Sequence, residues 1–87
     1  MDAFFTRTAE KQYDRLNEPI LGRINDAIDG LEKEPPEGDI VPLAGKPGNF
    51  RLTVGGLRVL FRIENNMILV TNIVPRGQAY TKKTMRG

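Results

Sequence analysis

The sequence predicts a single α+β domain, residues 1–87, in which a two-helix hairpin packs on an antiparallel sheet. Two observations predict the sheet. Residues 49–63 alternate around a Gly-Gly pair, and residues 68–74 form a nearly continuous apolar run. A third observation predicts helices, because apolar residues recur at helical spacing between positions 20 and 33. No internal repeat or linker interrupts the 87 residues, which suffice for one modest core.

The N-terminal elements are predicted to be a short strand and a helix. Residues 2–6 include Ala3-Phe4-Phe5, which is long enough for an edge or pairing strand. Thr6 or Thr8 can cap the next helix, because a threonine side chain accepts a hydrogen bond from a free N–H of the first turn. The apolar residues at helical spacing in this helix are Ala9, Tyr13 and Leu16.

The start of the second helix is predicted by Asn17, a favourable N-cap, followed by Glu18 and Pro19 in the first turn. Its apolar stripe ends near position 33 and consists of Ile20, Leu21, Ile24, Ala27, Ile28 and Leu31. The proline-rich segment 34–39 then begins a loop. We expect the apolar residues between positions 40 and 43 to anchor that loop on the domain.

A β-hairpin is predicted around Gly55-Gly56, because both residues accept the positive φ of a tight primed turn. This turn makes Val54 face Leu57, and directly opposed residues point to the same side of the pair. One side is then apolar and consists of Phe50, Leu52, Val54, Leu57, Val59, Phe61 and Ile63. The other side carries Arg51, Thr53, Arg58 and Arg62, with Leu60 among them.

The last strand completes a three-stranded meander. Asn65-Asn66 predicts a second tight turn, and the apolar strand Ile68–Val74 is typical of a central or doubly covered position. Pro75 ends this strand, and residues 78–87 form a short C-terminal tail or helix. Strict alternation from the start of the strand carries Arg76 to the core side. We therefore expect either the proline to break the pleat or the asparagine turn to shift the register.

The charges of the chain are segregated along the sequence. Residues 1–40 hold five basic and ten acidic side chains, a net charge of −5. Residues 41–87 hold eight basic side chains and one acidic side chain, a net charge of +7. This asymmetry favours a polyanionic or acidic partner, and the alternative is an ordinary solvated surface.

Several function classes are excluded by what the composition lacks. Cysteine and histidine are both absent, which removes disulfides, thiol nucleophiles, thiolate metal sites and the usual general base at neutral pH. The lack of cysteine fits a reducing cytosol, and we expect a cytoplasmic protein. No run approaches the roughly 20 apolar residues that span a bilayer, and no secretory leader is visible. We expect no metal site, because the N-terminal acids Asp14, Asp26, Asp29 and Glu32 are predicted on the outer faces of helices as solvating charge. We expect no small-molecule cofactor, and neither a P-loop nor a G-x-G-x-x-G motif occurs.

The arginines of the hairpin are the first candidate site. Arg51, Arg58 and Arg62 are expected on one exposed sheet face, where guanidinium groups are natural donors to phosphate. Arg58 follows the glycine turn, where low crowding lets a ligand approach closely. The plainer interpretation is that the arginines keep the outer face soluble, with their stems lying over Leu60.

The C-terminal part adds further candidates. Arg76 follows the last strand, and a helical turn would bring Tyr80 close to it. The ring of Tyr80 either stacks on a base or anchors the tail on the sheet. Non-specific phosphate contacts are predicted for a set of basic residues that consists of Lys46, Lys82, Lys83 and Arg86.

These motifs together resemble the RelE/ParE superfamily of toxins from bacterial toxin–antitoxin modules. The similarity runs through four motifs: Ala9-x-Lys11, Leu43-x-Gly45, the hairpin from Phe50 to Phe61, and Arg76-x-x-x-Tyr80. The resemblance implies a fold of one strand and two helices followed by an antiparallel meander, the order predicted above from the residues alone. It also implies a cognate antitoxin protein as partner.

RelE-type members of this superfamily cut mRNA on the ribosome, through attack of a ribose 2′-hydroxyl on the adjacent phosphate. By that resemblance Arg58 would stabilise the charged phosphorane, Arg76 the charge or the leaving group, and Tyr80 would orient a base. The catalytic candidates are Arg51, Arg58, Arg76 and Tyr80, and the RNA-binding candidates are Lys46, Arg62, Lys82 and Lys83.

One pair of positions departs from the superfamily pattern. Arg51 and Thr53 stand where the best-known members carry lysines, and neither can act as a base at neutral pH. Either the arginines carry most of the rate and the ribosome or water accepts the proton, or nuclease activity is weak or absent.

Three functions follow from the resemblance. The leading one is a type II toxin that cleaves mRNA on the ribosome and so inhibits translation. The alternatives are a ParE-like inhibitor of DNA gyrase without RNase activity, and an inactive module that only binds an antitoxin.

Overall fold

A computed structural model describes residues 1–79 and orders them as an α+β domain with a five-stranded sheet. The strands are β1 (Ala3–Phe5), β2 (Asp39–Pro42), β3 (Asn49–Val54), β4 (Leu57–Glu64) and β5 (Met67–Pro75). The helices are α1 (Arg7–Asp14), α2 (Ile20–Leu31) and α3 (Arg76–Ala79). The order of one strand and two helices before the meander is therefore confirmed.

The sheet has the strand order β1-β5-β4-β3-β2. Strands β3, β4 and β5 form the predicted antiparallel meander, with Val54 paired to Leu57 across the first turn. β1 pairs with β5 in parallel, so the sheet is mixed rather than purely antiparallel. Asn65 and Asn66 have φ of 52° and 59°, the left-handed geometry expected of the second turn.

Strand β2 corrects the prediction that residues after position 38 only anchor a loop. Asp39 pairs with Thr53, and Ile40 pairs with Leu52 on the core side. The segment is too short and too rich in proline and glycine for a strand pattern to be recognised. The neighbouring strand β3 supplies the hydrogen-bond partners that make it a strand.

The helix caps differ in how they match the sequence. Thr6 caps α1 as predicted, because its side chain accepts a hydrogen bond from Ala9 N at 3.2 Å. Asn17 does not cap α2, which begins after Pro19. The side chain of Glu18 caps the first turn of α2 instead, since its Oε1 accepts a hydrogen bond from Gly22 N at 2.6 Å.

The core lies between the two long helices and one face of the sheet. Phe50 and Phe61 are directly opposed on β3 and β4, with stacked rings 5.4 Å apart between centroids. The apolar side of the hairpin thus faces the helices, as predicted. The buried cluster consists of Ala9, Ile24, Ile28, Leu31, Leu52, Val59, Phe61, Ile68, Val70 and Ile73.

A β-bulge interrupts the pairing of β4 with β5. Leu60 pairs with Asn72 and Phe61 pairs with Val70, so Thr71 is an extra residue on β5. Its Oγ1 donates a hydrogen bond to the Leu60 carbonyl at 3.2 Å. β1 pairs with β5 only as far as Val70. Further along the same edge of β5, Gln12 Oε1 accepts a hydrogen bond from Ile73 N at 2.6 Å, in place of a strand partner.

Candidate anion-binding site

The face of the sheet opposite the helices carries three of the predicted site residues, Arg51, Arg58 and Arg62, and we call it the open face. Its side chains lie in rows across the strands, because paired residues point to the same side. The row beside the Gly-Gly turn runs across four strands and consists of Asp39, Thr53, Arg58 and Val74. The next row consists of Val41, Arg51, Leu60 and Asn72.

Leu60 lies in the middle of the open face among polar neighbours. Only 8% of its surface is exposed, although it does not belong to the buried core cluster. Arg51 is its direct partner on β3 and is half-buried. This arrangement fits the expectation that the aliphatic stems of the arginines shield Leu60 while their charged ends stay at the surface.

Arg58 is held against the turn that precedes it. Its Nη1 donates hydrogen bonds to the carbonyl oxygens of Gly55 and Leu57, each at 2.9 Å. Within residues 1–79 its buried Nε has no hydrogen-bond partner. The two bonds account for both N–H groups of Nη1, so those of Nη2 stay available to an incoming oxygen. The turn thereby fixes where this guanidinium lies.

The bulge at Thr71 decides on which side Arg76 lies. The change of alternation that moves Arg76 away from the core side is caused neither by Pro75 nor by the asparagine turn. One extra residue reverses the alternation, so that Ile73 enters the core while Val74 pairs beside Arg58. Continued alternation brings position 76 to the open side. Its backbone N–H donates to the Gly56 carbonyl at 2.9 Å, which holds the start of α3 at the same turn.

The remaining described candidates lie at the other end of the sheet. Arg62 pairs with Asn49, four residues along β4 from Arg58, which corresponds to about 13 Å. Arg62 Nε lies 3.4 Å from Glu64 Oε1 in a half-exposed ion pair. Lys46 is in the connection between β2 and β3, at this same end. Tyr80, Lys82 and Lys83 lie outside the described residues.

Asp39 is a candidate that the sequence did not reveal. The sequence pattern places Asp39 in a loop, and only the pairing of β2 with β3 brings it into the row of Thr53 and Arg58. It is exposed, and two strand spacings separate its backbone from that of Arg58 by about 10 Å. A carboxylate is thus placed at the glycine-turn end of the open face, in addition to that of Glu64 at the other end.

Within the described residues, no group of three histidine, cysteine, aspartate or glutamate side chains is arranged to hold a metal ion. The same part of the chain contains no helix that is long and apolar enough to cross a membrane.

Comparison with known protein families shows to which family the chain belongs. The sequence model of one family, described as ParE toxin of the type II toxin–antitoxin system, parDE, matches residues 3–80. The chain belongs to this ParE toxin family. It is therefore a type II toxin of the RelE/ParE superfamily, as the motifs predicted. A comparison with curated protein sequences gives no significant match.

Solved structures of RelE and ParE toxins share the fold of this family member. A chain of the RelB–RelE antitoxin–toxin complex from Methanococcus jannaschii has a TM-score of 0.75 at 20% identity, over 88% of this chain and 94% of that one. The YoeB/ParE toxin from Agrobacterium tumefaciens has a TM-score of 0.75 at 20% identity, with coverages of 87% and 99%. A mutant of the E. coli toxin RelE in the free state has a TM-score of 0.74 at 16% identity, with coverages of 97% and 88%. At these identities the likeness concerns the fold.

Proposed function

We propose that this toxin is a ribosome-dependent endoribonuclease that cleaves mRNA in the cytoplasm and is neutralised by a cognate antitoxin. The observation that carries the proposal is the row beside the glycine turn, in which a positioned arginine and a carboxylate flank a threonine on an open sheet face. Several structural relatives are described as toxin–antitoxin complexes, which supports the antitoxin partner.

Arg58 is the group that would bind the scissile phosphate. Its guanidinium carries a permanent charge, and the carbonyls of the turn hold it before substrate arrives. Attack of the 2′-oxygen on phosphorus forms the new P–O bond and adds negative charge to the phosphoryl oxygens. A preorganised cation stabilises that charge more in the transition state than in the ground state. Arg76, at the same turn, would stabilise the 5′-oxygen as its bond to phosphorus breaks.

Asp39 is the group that would accept the proton of the 2′-hydroxyl. Arginine cannot act as a base in proteins and threonine is neutral, so neither Arg51 nor Thr53 can accept this proton. The spacing of about 10 Å between the backbones of Asp39 and Arg58 leaves room for one ribose-phosphate unit between their side chains. The departing 5′-oxygen would take its proton from water. This assignment removes the need for the lysines that other superfamily members carry.

The test is cleavage of a reporter mRNA in a reconstituted translation reaction, read by primer extension. Arg58→Ala should lower the single-turnover rate by about 100- to 1,000-fold, as for other positioned electrostatic groups. Asp39→Asn should lower it by about 100-fold or more, as for a lost general base. Arg7→Ala and Asp26→Asn are matched controls, because both residues are exposed on helices away from the open face. Cleavage that is unchanged in the first two variants would refute these roles.

Inhibition of DNA gyrase is the second candidate function. It is favoured by the absence of a lysine or histidine from the described open face, and by the family description, which names the parDE system. A supercoiling assay with purified gyrase separates the two functions. If the toxin inhibits supercoiling and mRNA stays intact in translation reactions, the nuclease proposal is refuted and gyrase inhibition is supported.

A further inference from the structure

Thr53 lies between the two groups that are proposed above to bind the phosphate and to accept the proton. It pairs with Arg58 on one side and with Asp39 on the other. Hydrogen-bonded and non-hydrogen-bonded pairs alternate from the two-residue turn, which makes Thr53 and Arg58 a non-hydrogen-bonded pair. In such a pair the Cα atoms are only about 4.5 Å apart and the side chains are close together. A phosphate bound by Arg58 on the open face is therefore within reach of Thr53.

The hydroxyl of Thr53 is not used by the fold. Within residues 1–79 its Oγ1 forms no hydrogen bond, and it is not one of the side-chain atoms that are buried without a partner. It is thus reached by solvent, on a half-buried side chain. The other strand threonine of this part of the chain, Thr71, instead donates to the Leu60 carbonyl at 3.2 Å. Because threonine is β-branched, its χ1 is restricted, and so is the direction of the hydroxyl.

Arg58 supplies only one nitrogen to a ligand. A guanidinium that binds a phosphate in the bidentate manner uses two nitrogen atoms side by side. Nη1 of Arg58 already donates to the carbonyls of Gly55 and Leu57, and its Nε is buried. Nη2 is the nitrogen that remains for the phosphate. One non-bridging oxygen of the scissile phosphate is then left without a donor from Arg58.

Thr53 is the residue of this row that can donate to that oxygen. Ionised Asp39 only accepts hydrogen bonds, and Val74 has no polar group in its side chain. A neutral donor also suits the neighbouring carboxylate. A lysine at position 53 would pair with Asp39 and weaken it as a proton acceptor, whereas a hydroxyl adds no charge beside it.

We propose that the hydroxyl of Thr53 is a catalytic hydrogen-bond donor, which binds the non-bridging oxygen of the scissile phosphate that Arg58 does not hold. The hydroxyl keeps its proton throughout. As the 2′-oxygen bonds to phosphorus and its proton moves to Asp39, negative charge grows on both non-bridging oxygens, and the hydrogen bond from Thr53 strengthens. It stabilises the phosphorane until the bond to the 5′-oxygen breaks. The inference rests on the proposed nuclease function.

The test replaces one non-bridging oxygen at the cleaved bond by sulfur, a weaker hydrogen-bond acceptor. A synthetic mRNA with a single phosphorothioate at the cut, in each of its two diastereomers, is bound to ribosomes and cleaved in a single turnover by saturating toxin. The wild type should cleave both diastereomers more slowly than the all-oxygen mRNA. Thr53→Val should abolish this difference for one diastereomer, and Arg58→Ala should abolish it for the other.

The all-oxygen mRNA gives the size of the contribution. Thr53→Val should lower its cleavage rate by about 100-fold, as for the loss of one oxyanion donor, and leave the affinity for the ribosome nearly unchanged. Thr53→Ser keeps the hydroxyl but not the fixed rotamer, and should stay within about 10-fold of the wild type. Thr8→Val is the matched control, since Thr8 is exposed on α1. It should cleave like the wild type.

Folding is checked by urea denaturation. Valine has nearly the shape of threonine and is favoured in strands, so Thr53→Val should keep the wild-type midpoint. A Thr53→Val variant that cleaves all three mRNAs more slowly by the same factor would have a structural defect, and this result would overturn the proposal. So would wild-type rates in that variant.

Arg51 is the competing donor, because it lies two residues away on the same side of β3. If Arg51→Ala abolishes the sulfur effect that Thr53→Val leaves intact, the role belongs to Arg51 and the proposal is refuted. All of these results would leave the nuclease itself in place. A wild-type toxin that cleaves no mRNA would refute the proposed function and, with it, this role of Thr53.

Discussion

At the scale of single residues, the two glycines of the hairpin turn have different roles. The carbonyl of Gly55 accepts from the guanidinium of Arg58, and the carbonyl of Gly56 accepts from the backbone N–H of Arg76. Of the two, only Gly55 has positive φ, which is the pattern of a type II′ turn, although both glycines tolerate that conformation. The turn therefore positions both arginines proposed for the site through its backbone.

A prediction at this scale compares substitutions of the two glycines. Gly55→Ala should lower the free energy of unfolding by about 1 kcal/mol, because alanine is strained at positive φ. Gly56→Ala should change it by less than about 0.5 kcal/mol, since its Cβ has open space. Gly55→Asn should recover most of the loss, as Asn65 and Asn66 adopt the same region in this chain. Urea denaturation measures all three, and equal destabilisation by both alanines would contradict the assignment of the turn.

At the scale of elements, the bulge in β5 and the short strand β2 shape the open face. The extra residue Thr71 turns Val74 towards the side of Arg58, and pairing of β2 with β3 adds Asp39 to that side. Both features depend on neighbours that are remote in sequence. The bulge also leaves Ile73 N beyond the end of β1, where the side chain of Gln12 accepts its hydrogen bond.

Removing that acceptor tests the support of the bulge. Gln12→Leu should cost about 1–3 kcal/mol of stability, because it leaves a partly buried backbone N–H without a partner. Gln12→Glu keeps an acceptor oxygen of similar reach and should cost clearly less. The midpoints of urea unfolding provide the comparison. A leucine variant as stable as the wild type would mean that the hydrogen bond contributes nothing to holding β5.

At the scale of the whole molecule, charge is segregated by topology as well as by sequence. The half with net charge +7 contains β3, β4 and β5, and the arginines of β3 and β4 lie on the open face. The half with net charge −5 contains both long helices on the other side. Such a separation orients a polyanion towards the open face and makes its binding sensitive to salt.

Salt dependence tests that orientation. The logarithm of the affinity for single-stranded RNA should fall linearly with the logarithm of salt concentration, and Arg58→Ala should reduce the slope by about 0.7, the value for one phosphate contact. Arg7→Ala, on the helix side, should leave the slope unchanged. Fluorescence anisotropy of a labelled oligonucleotide supplies the affinities. A slope that depends equally on both arginines would argue against a directed site.

The sequence by itself determined the hairpin of the open face and the order of the main elements. A two-residue turn leaves one register for β3 and β4, and alternation then assigns each side chain between Phe50 and Phe61 to a face. These are local relations, and a single segment contains all of them. The same residues form one of the four motifs on which recognition of the superfamily rested.

Only the tertiary structure decided the rest of the candidate site. The position of Asp39 depends on pairing with β3, and the side of Arg76 depends on a bulge formed against β4. Each involves segments far apart in the chain, and no periodicity within one segment reports it. Local patterns specify which face a side chain prefers, while packing between distant elements decides which side chains meet.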